Sequence, residues 1–273
     1  MTGWRKQPIG DLPLYQAKTI AWLPRITQGF TTRRGGISLA PYESLNLGAH
    51  VGDDPAHVTA NRRRVWHDLG ITEANVVLAE QVHGSVVTVV TAGSGAAPIA
   101  GADALVTDTP DLLLMLFFAD CVPVYLVDPV RKVIGLAHAG WRGTAANIAS
   151  KTLQTMTSEF GCQPSTCFAA VGPSIGEGSY EVGPEVADQF RSLPGARASS
   201  VVMPRSDLGG TYNLNLRAVV FGQLLYAGVP AGSIAVCDED TFRNKRDFFS
   251  YRRDGAATGR MAGFLGIKGG NTG

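Results

Sequence analysis

Two short segments of the chain place a thiol and an imidazole at the ends of apolar runs. Cys121 lies between the runs 112–118 and 122–127, and His138 follows directly after the run 133–137. Such runs predict buried strands, and strand ends in α/β proteins open onto crevices where ligands bind. We therefore expect Cys121 and His138 in a crevice, where a thiolate and an imidazole can bind a metal ion or act as nucleophile and base.

A third residue of the right type is His83, which lies in Gln81-Val82-His83-Gly84 at a predicted turn between the apolar runs 76–79 and 86–90. Taken singly, the three residues are more simply interpreted as a turn histidine, a buried thiol and a strand-end histidine. Together, two imidazoles and a thiolate match the ligand set of catalytic zinc, which keeps a fourth position for water. A zinc ion in such a site lowers the pKa of its water to about 7.

Two other interpretations of the same residues stay open. Two histidines and a cysteine also form blue-copper centres, which add a weak axial donor such as methionine. A multicopper oxidase holds further copper ions on many imidazoles, whereas this chain has 5 histidines, of which His57 and His67 are expected on a helix surface. Without a metal, Cys121 and His138 could form a nucleophile and base, and His83 discriminates because such a dyad needs one imidazole.

Seven sequence motifs, in order along residues 27–262, resemble those of a known family. They are GFTTRRGG, SLNLG-x-HVGDDP, QVHG, ADCVPV, HAGWRG, GPSIG-x-x-x-YEVG and FFSYRRDG. The family was first described as laccase-domain or polyphenol oxidase proteins, and later as zinc-dependent purine nucleoside phosphorylases with adenosine deaminase activity. Its bacterial members are also called peptidoglycan editing factors. The loop 255–259 is slightly longer than the family pattern between YRRD and GRM.

The resemblance implies an enzyme with a zinc ion on His83, Cys121 and His138, acting on purine nucleosides and phosphate. It also implies three alternatives: a copper-dependent polyphenol oxidase with Cu2+, a Cys/His thiol hydrolase, and an amidase that edits peptidoglycan precursors. The thiol hydrolase is suggested because the family's fold is similar to that of toxin deamidases that use a cysteine and histidine pair.

Composition favours small-molecule chemistry inside the cell. The 273 residues are 45% hydrophobic, which is enough for a large core, and no break in composition marks a linker, so we expect a single domain over 1–273. A net charge of +1 gives no overall attraction to nucleic acid or an anionic membrane. The N-terminus lacks a signal-peptide core, and no run reaches the roughly 20 apolar residues of a membrane helix. Four cysteines do not suggest a disulfide framework, so we expect a cytoplasmic protein.

The pattern of elements predicts an α+β fold. Residues 76–139 read mostly as strands, and this long meander implies a mixed or antiparallel sheet rather than regular βαβ alternation. The family resemblance implies a single layered domain, with sheets packed together and helices outside. Helices are predicted at 55–69, 144–160, 184–190 and 214–227, the last capped by Asn213, and strands at 166–171, 248–251 and 261–267.

Several cations and aromatic residues are candidates for substrate binding. The predicted helix after Gly143 would direct backbone amides beside His138, so Arg142 and this helix N-terminus could bind an anion. Arg252 and Arg253 could bind phosphate or pair with nearby acids, and Tyr180 and Phe249 could stack on a base or belong to the core. We include Arg142 with His83, Cys121 and His138 among the catalytic candidates.

Other polar residues near these motifs are expected to have structural roles. We expect His50 to make a structural hydrogen bond, because a fourth protein ligand would leave a catalytic zinc no open position. Asp120 is expected to face away from the metal and to bond a neighbouring group or the backbone. Cys162 and Cys167 are interpreted as plain thiols.

Overall fold

The computed structural model describes residues 3–191, 193, 201–205 and 210–269. The strands are β1 (Trp4–Ile9), β2 (Leu12–Ala17), β3 (Ile26–Thr31), β4 (Val76–Leu78), β5 (Val87–Val89), β6 (Ala104–Thr107), β7 (Leu113–Phe118), β8 (Val122–Asp128), β9 (Val133–Ala139), β10 (Phe168–Val171), β11 (Glu181–Val182), β12 (Val202–Pro204), β13 (Tyr212–Leu214), β14 (Ile234–Val236) and β15 (Met261–Ile267). The helices are α1 (Lys18–Ala21), α2 (Pro55–Leu69), α3 (Trp141–Ala145), α4 (Ile148–Phe160), α5 (Pro184–Arg191), α6 (Leu216–Tyr226) and α7 (Tyr251–Asp254).

Two six-stranded sheets form the centre of the fold. The first has the order β1-β2-β3-β15-β7-β4 and the second β14-β10-β8-β9-β6-β5, while β11, β13 and β12 form a small third sheet. Both large sheets are mixed, because β4 runs parallel to β7, and β5 and β14 run parallel to β6 and β10, among antiparallel neighbours. The prediction of an α+β fold with mixed sheets is confirmed.

Alternation of side chains along the central strands explains the layers. On β7, Leu114 and Leu116 face the second sheet, while Leu113 and Met115 belong to a separate cluster with Val65 and Leu69 of α2. On β8, Tyr125 faces the first sheet, whereas its neighbour Val124 packs with residues of α4 and α6. A strand that is buried on both faces has apolar residues at nearly every position, which appears in the sequence as a continuous apolar run. The sheets therefore pack together with helices outside, as predicted.

At the ends of two strands, the chain crosses from the first sheet to the second. β4 and β7 belong to the first sheet, and the strands that follow them, β5 and β8, belong to the second. His83 lies on the first of these crossings and Cys121 on the other. His138 lies near the end of β9, paired with Pro123 of β8. The topology thus brings the three candidate ligands to one edge.

Helix α2 follows its sequence signals closely. Asp54 caps it by accepting a hydrogen bond from the N–H of Ala56, Pro55 occupies the first turn, and Gly70 ends it in the left-handed conformation with φ of 67°. His67 is exposed on its surface, as expected, with 88% of its side chain accessible.

Three predicted element boundaries are wrong. The predicted helix 144–160 is two helices, because Asn147 adopts a left-handed φ of 62° between α3 and α4. Helix α6 begins later than predicted, since the side chain of Asn215, rather than Asn213, accepts from the N–H of Ala218. The predicted strand 248–251 is absent: residues 248–250 are irregular, and helix α7 follows, which Ser250 caps by accepting from the N–H of Arg253.

No helix within the described ranges combines the length and apolar character needed to cross a membrane.

One buried hydrogen bond joins the two large sheets and can be tested. The hydroxyl of Tyr125 on β8 donates to the carbonyl oxygen of Gly29 on β3 at 2.9 Å. We expect Tyr125→Phe to lower the free energy of unfolding by about 1 kcal/mol, because the aromatic packing is kept while the bond is lost. Urea denaturation of both proteins measures the difference. Equal stabilities would show that the bond contributes nothing.

Candidate metal centre

The three predicted ligands lie together. The side-chain donor atoms of His83, Cys121 and His138 all lie within 4.8 Å of one another, and this is the metal-competent group found among the described residues. The two imidazole rings are 4.9 Å apart between centroids and nearly perpendicular, at 77°. Ligands at about 2.0–2.3 Å from a tetrahedral ion are separated by roughly 3.5 Å. Small side-chain movements would therefore complete a coordination sphere.

A glycine keeps room beside these ligands. A Cβ atom at Gly140 would lie 3.1 Å from the sulfur of Cys121, 3.2 Å from Cδ2 of His83 and 4.0 Å from Cε1 of His138. Any other residue would therefore crowd Cys121 and His83. The donor set and the space around it fit a metal ion.

The electrostatics of the pair Cys121 and His138 favour the metal-binding form of the thiol. Burial raises the pKa of Cys121, but the charges and hydrogen bonds of His138 and His83 outweigh burial and lower that pKa to about 6. Burial lowers the pKa of His138, but the Cys121 thiolate and the Asp103 carboxylate outweigh burial and raise it. The thiolate is the form that binds metals and acts as nucleophile.

Asp103, which was not predicted from the sequence, holds both histidine segments. Its Oδ1 accepts from Nδ1 of His138 at 2.9 Å and from the N–H of His83 at 3.0 Å. Its Oδ2 accepts from the N–H groups of Val82 at 3.2 Å and Gly84 at 2.6 Å. With Nδ1 occupied, Nε2 of His138 is left for a metal.

Burial raises the pKa of Asp103, but the hydrogen bond and charge of His138 and the backbone donors of the 82–84 turn outweigh burial and lower it. The carboxylate therefore stays ionised in the core. The sequence signal that could have identified Asp103 is an acidic residue placed directly before the apolar run 104–106. A buried acid needs several hydrogen-bond donors, so an acid at this position indicates a polar network around it.

The turn that carries His83 is held on both sides. The backbone of His83 has a left-handed φ of 59°, which is unusual for a residue with a side chain. Asp103 bonds one side of this turn. On the other side, the Gln81 amide bonds both backbone groups of Phe117, each at 2.8 Å. These contacts fix the direction of the His83 side chain.

Asp120 bonds away from the metal, in agreement with the prediction. Its Oδ1 accepts from the hydroxyl of Thr241 at 2.7 Å, and its Oδ2 accepts from the Ser250 hydroxyl at 3.0 Å and the N–H of Arg252 at 2.7 Å. Asp120 thereby fixes the segment 250–252 beside the candidate ligand Cys121.

A cavity of about 420 Å³ opens beside the ligands. Three arginines on its wall each lie over an aromatic ring that also lines it: Arg142 over Trp141 at 4.4 Å, Arg252 over Tyr180 at 4.9 Å and Arg260 over Tyr251 at 5.9 Å from guanidinium carbon to ring centroid. His50, Gln81, Phe117, Ala119 and Asp120 complete the wall around the three ligands. The cavity combines aromatic faces with cations.

Comparison with known proteins assigns the family. A family described as "Multi-copper polyphenol oxidoreductase laccase" matches residues 27–268. The chain belongs to this family. Its sequence is 43% identical over 245 residues to a Geobacillus stearothermophilus protein named purine nucleoside phosphorylase YlmD, covering 87% of this chain and 89% of the relative. It is 38% identical over 237 residues to the Escherichia coli protein named purine nucleoside phosphorylase YfiH, covering 86% and 91%.

Solved structures of relatives have the same fold. The crystal structure of the Bacillus licheniformis hypothetical protein YfiH has a TM-score of 0.91 at 38% identity, covering 98% of this chain and 100% of that chain. The structure of YlmD from Geobacillus stearothermophilus has a TM-score of 0.89 at 37% identity, with the same coverage.

In this member of the family, two of the substrate-binding candidates have structural roles instead. Arg253 bonds the carbonyl oxygens of Thr241, Phe242 and Phe248 and pairs with Asp254, which is the alternative that the sequence left open. Phe249 is fully buried in the core under the guanidinium of Arg33, so it cannot stack on a substrate. Arg260 and Tyr251 line the cavity in their place and were not predicted.

The helix N-terminus predicted after Gly143 is wrong. Helix α3 begins at Trp141 and is only five residues long, and Gly143 lies inside it. Its short dipole offers little to an anion, because the macrodipole sums over aligned peptides. Arg142 is exposed at the cavity wall and stacks on Trp141, so any anion contact there depends on its side chain alone.

The prediction of a structural hydrogen bond for His50 is also wrong. His50 is exposed at the cavity wall, and its side chain makes no hydrogen bond to any residue in the described part of the chain. Burial, followed by the charges of Arg260, Arg62 and His83, lowers its pKa.

Away from the site, Cys162 and Cys167 are buried. Burial, followed by the charge of Asp128, raises the pKa of each to about 12.

The ligand set makes a direct prediction. We expect Cys121→Ala, His83→Ala and His138→Ala each to lose bound metal and activity while staying folded, since the strands beside them keep their cores. Cys162→Ala and Cys167→Ala serve as controls and should keep the metal. Metal per chain by elemental analysis, together with circular dichroism, measures both effects. Full metal content in His83→Ala would refute the three-ligand site.

The role of Asp103 is tested by Asp103→Asn, which removes the charge and places an amide N–H against backbone donors. We expect metal affinity to fall about 10- to 100-fold, as for other groups that orient a metal ligand. Competition with a chelator measures the affinity. Asp128→Asn is a matched control, because Asp128 accepts backbone N–H groups of Val130 and Arg131 away from the site. Unchanged affinity in Asp103→Asn would rule out this role.

Proposed function

We propose that this protein is a zinc-dependent purine nucleoside phosphorylase that also deaminates adenosine. Phosphorolysis would convert adenosine, inosine or guanosine and phosphate to the free base and ribose 1-phosphate. Deamination would convert adenosine and water to inosine and ammonia. The observation that carries the proposal is the group His83, Cys121 and His138 beside a cavity lined by three arginine–aromatic pairs. The relatives named purine nucleoside phosphorylase support it.

The donor chemistry favours zinc over copper. Zinc would be held by both imidazoles and the thiolate, and when bound it supplies a Lewis acid and an activated water at neutral pH. A blue-copper centre would add a weak axial ligand such as methionine. None of the described residues on the cavity wall is a methionine, and Gln81, the glutamine on this wall, is bonded to both backbone groups of Phe117. The family description names multicopper chemistry, which needs further imidazoles for additional copper ions. His57 and His67 do not supply them, because they lie on helix α2 beside Asp53 and Asp68 and do not belong to the group of three ligands.

The cavity wall suits a purine nucleoside and an oxyanion. Its volume of about 420 Å³ lies within the range of roughly 300–1,000 Å³ typical of small-molecule sites. Trp141, Tyr180 and Tyr251 offer flat faces on which a purine can stack. The arginines beside them offer donors that match phosphate oxygens.

The two reactions differ in their second substrate. In phosphorolysis, a phosphate oxygen forms a bond to C1′ of the ribose while the glycosidic bond breaks, and the base leaves with the bonding electrons and takes up a proton. In deamination, water adds to the purine ring and ammonia leaves. Phosphate is required by the first reaction only.

A second candidate is a metal-free thiol hydrolase, including an amidase that edits peptidoglycan precursors. The observation in its favour is that Cys121 lies close to His138, whose Nδ1 bonds Asp103, so the three residues resemble a nucleophile, base and orienting acid. The imidazole of His83 belongs to the same group of donor atoms, all within 4.8 Å of one another, and a triad has no use for a second imidazole. Turnover that survives complete removal of metal by a chelator would favour this candidate.

We further propose that the chain acts as a single domain in the cytoplasm, with no nucleic acid or membrane partner. The free cysteines Cys121, Cys162, Cys167 and Cys237 fit a reducing compartment.

The dependence on phosphate is the decisive test. We expect release of adenine from adenosine to require added phosphate, whereas formation of inosine does not. Chromatography of adenosine, inosine and free base with and without phosphate measures both. We also expect Arg142→Ala to weaken phosphate use more than deamination, because its guanidinium is exposed at the cavity wall. Base release that ignores phosphate would refute phosphorolysis, and equal loss of both reactions would refute the role of Arg142.

A further inference from the structure

The three arginines of the metal cavity differ in how far they are withdrawn from water. Arg142 and Arg252 are exposed, whereas Arg260 is half-buried. Burial lowers the pKa of Arg260, and the negative charges of Cys121 and Asp120 act in the opposite direction. A guanidinium removed from water is stabilised when an anion pairs with it. None of the ion pairs formed by the described residues includes Arg260.

The donors of Arg260 are only partly used. Its Nη1 donates to the carbonyl oxygens of Thr258 at 2.8 Å and Gly259 at 3.1 Å. A guanidinium carries five N–H donors, two of them on Nη1. The N–H groups on Nε and Nη2 therefore have no acceptor among the residues that the structure describes, and two such neighbouring donors match an oxyanion.

A separate segment of the chain is built around Arg260. The buried side chain of Asn46 accepts from the backbone N–H of Arg260 at 2.8 Å, and the N–H of Leu47 donates to the Arg260 carbonyl oxygen at 3.1 Å. A Cβ atom at Gly48 would lie 2.7 Å from Cγ and 3.0 Å from Cβ of Arg260. These contacts give a physical reason for the Asn-Leu-Gly run at 46–48, which the metal site does not explain.

We propose that Arg260 binds the oxyanion co-substrate, inorganic phosphate, and that Asn46 and Gly48 position its side chain for this task. The proposal rests on the phosphorolysis proposed above. Arg260 contributes a fork of charged donors from the half-buried side of the cavity, next to the metal ligands. Arg142 and Arg252 lie at its exposed side.

The test compares kinetics for the two co-substrates. In Arg260→Ala the KM for phosphate should rise about 10- to 100-fold, while the KM for adenosine in deamination changes far less. Arg260→Lys keeps the charge but loses the fork, and should recover only part of the phosphate affinity. Calorimetric titration with phosphate, without nucleoside, should show that phosphate affinity falls in the same order, from the wild type to Arg260→Lys to Arg260→Ala.

Arg62→Ala is a matched control for loss of a half-buried guanidinium from the same region. Arg62 donates through Nε to the carbonyl oxygen of Leu47 at 2.9 Å and lies over Phe117, but it does not line the metal cavity. We expect it to lower thermal stability and to leave the KM for phosphate unchanged. A rise in Arg62→Ala as large as in Arg260→Ala would mean that phosphate binding depends on the conformation of the 46–48 loop and not on the Arg260 guanidinium, and would overturn the proposal.

A double-mutant cycle tests the positioning role of Gly48. Gly48→Ala should raise the KM for phosphate, because the added methyl group displaces the stem of Arg260. The same change should add little in an Arg260→Ala background, since interacting residues are not additive. Full additivity would overturn the positioning role.

Failure of this inference can be told apart from failure of the proposed function. If the wild type releases base only with phosphate and Arg260→Ala keeps a normal KM for phosphate, phosphorolysis stands and the role of Arg260 is wrong. If the wild type releases no base with phosphate, the proposed function is wrong, and calorimetry with phosphate still decides whether Arg260 binds an oxyanion.

Discussion

The carboxylate of Asp103 is the constraint on which the geometry of the metal site depends. An ionised carboxylate in the core is costly unless several donors surround it. Asp103 meets this requirement with three successive backbone N–H groups of the 82–84 turn and with Nδ1 of His138. Its own backbone oxygen also accepts from the N–H of His138 at 2.8 Å. Satisfying one buried charge therefore sets the direction of both histidine ligands.

The two packed sheets supply the frame for that arrangement. Because β4 and β7 each lead from the first sheet into a strand of the second, two crossings lie close together. His83 and Cys121 lie on these crossings, and His138 lies near the end of β9 beside them. The rigid, fully buried strands β7, β8 and β9 flank these crossings. Loops held by such strands can adopt backbone conformations that a regular strand does not allow. His83 and Asp120 have left-handed backbones, and their side chains point in directions set by these conformations.

The charges around the cavity form a consistent pattern. The carboxylates of Asp103 and Asp120 are engaged in hydrogen bonds with neighbouring side chains and backbone N–H groups. The guanidinium groups of Arg142, Arg252 and Arg260 line the cavity. Cations on a cavity wall attract anionic ligands.

The sequence by itself determined the features that depend on a few neighbouring residues. Continuous apolar runs predicted the strands β7 to β9, and Asp54, Pro55 and Gly70 predicted both ends of α2. The residue types at His83, Cys121 and His138 predicted a metal ligand set, since apolar runs ending in such residues open onto a crevice. The strand and helix predictions hold because strand pleat and helix capping are local properties of the backbone. The metal ligand set stays a prediction.

Tertiary structure alone decided which polar side chains face the cavity. Asp103 and His138 are 35 residues apart, and Asn46 and Arg260 are 214 apart, so no local pattern relates them. The same holds for Arg260 and Tyr251, which line the cavity in place of Arg253 and Phe249. It also holds for the break at Asn147, which leaves α3 only five residues long. A side chain on a loop points where distant contacts satisfy its hydrogen bonds, and those contacts exist only once the sheets have packed.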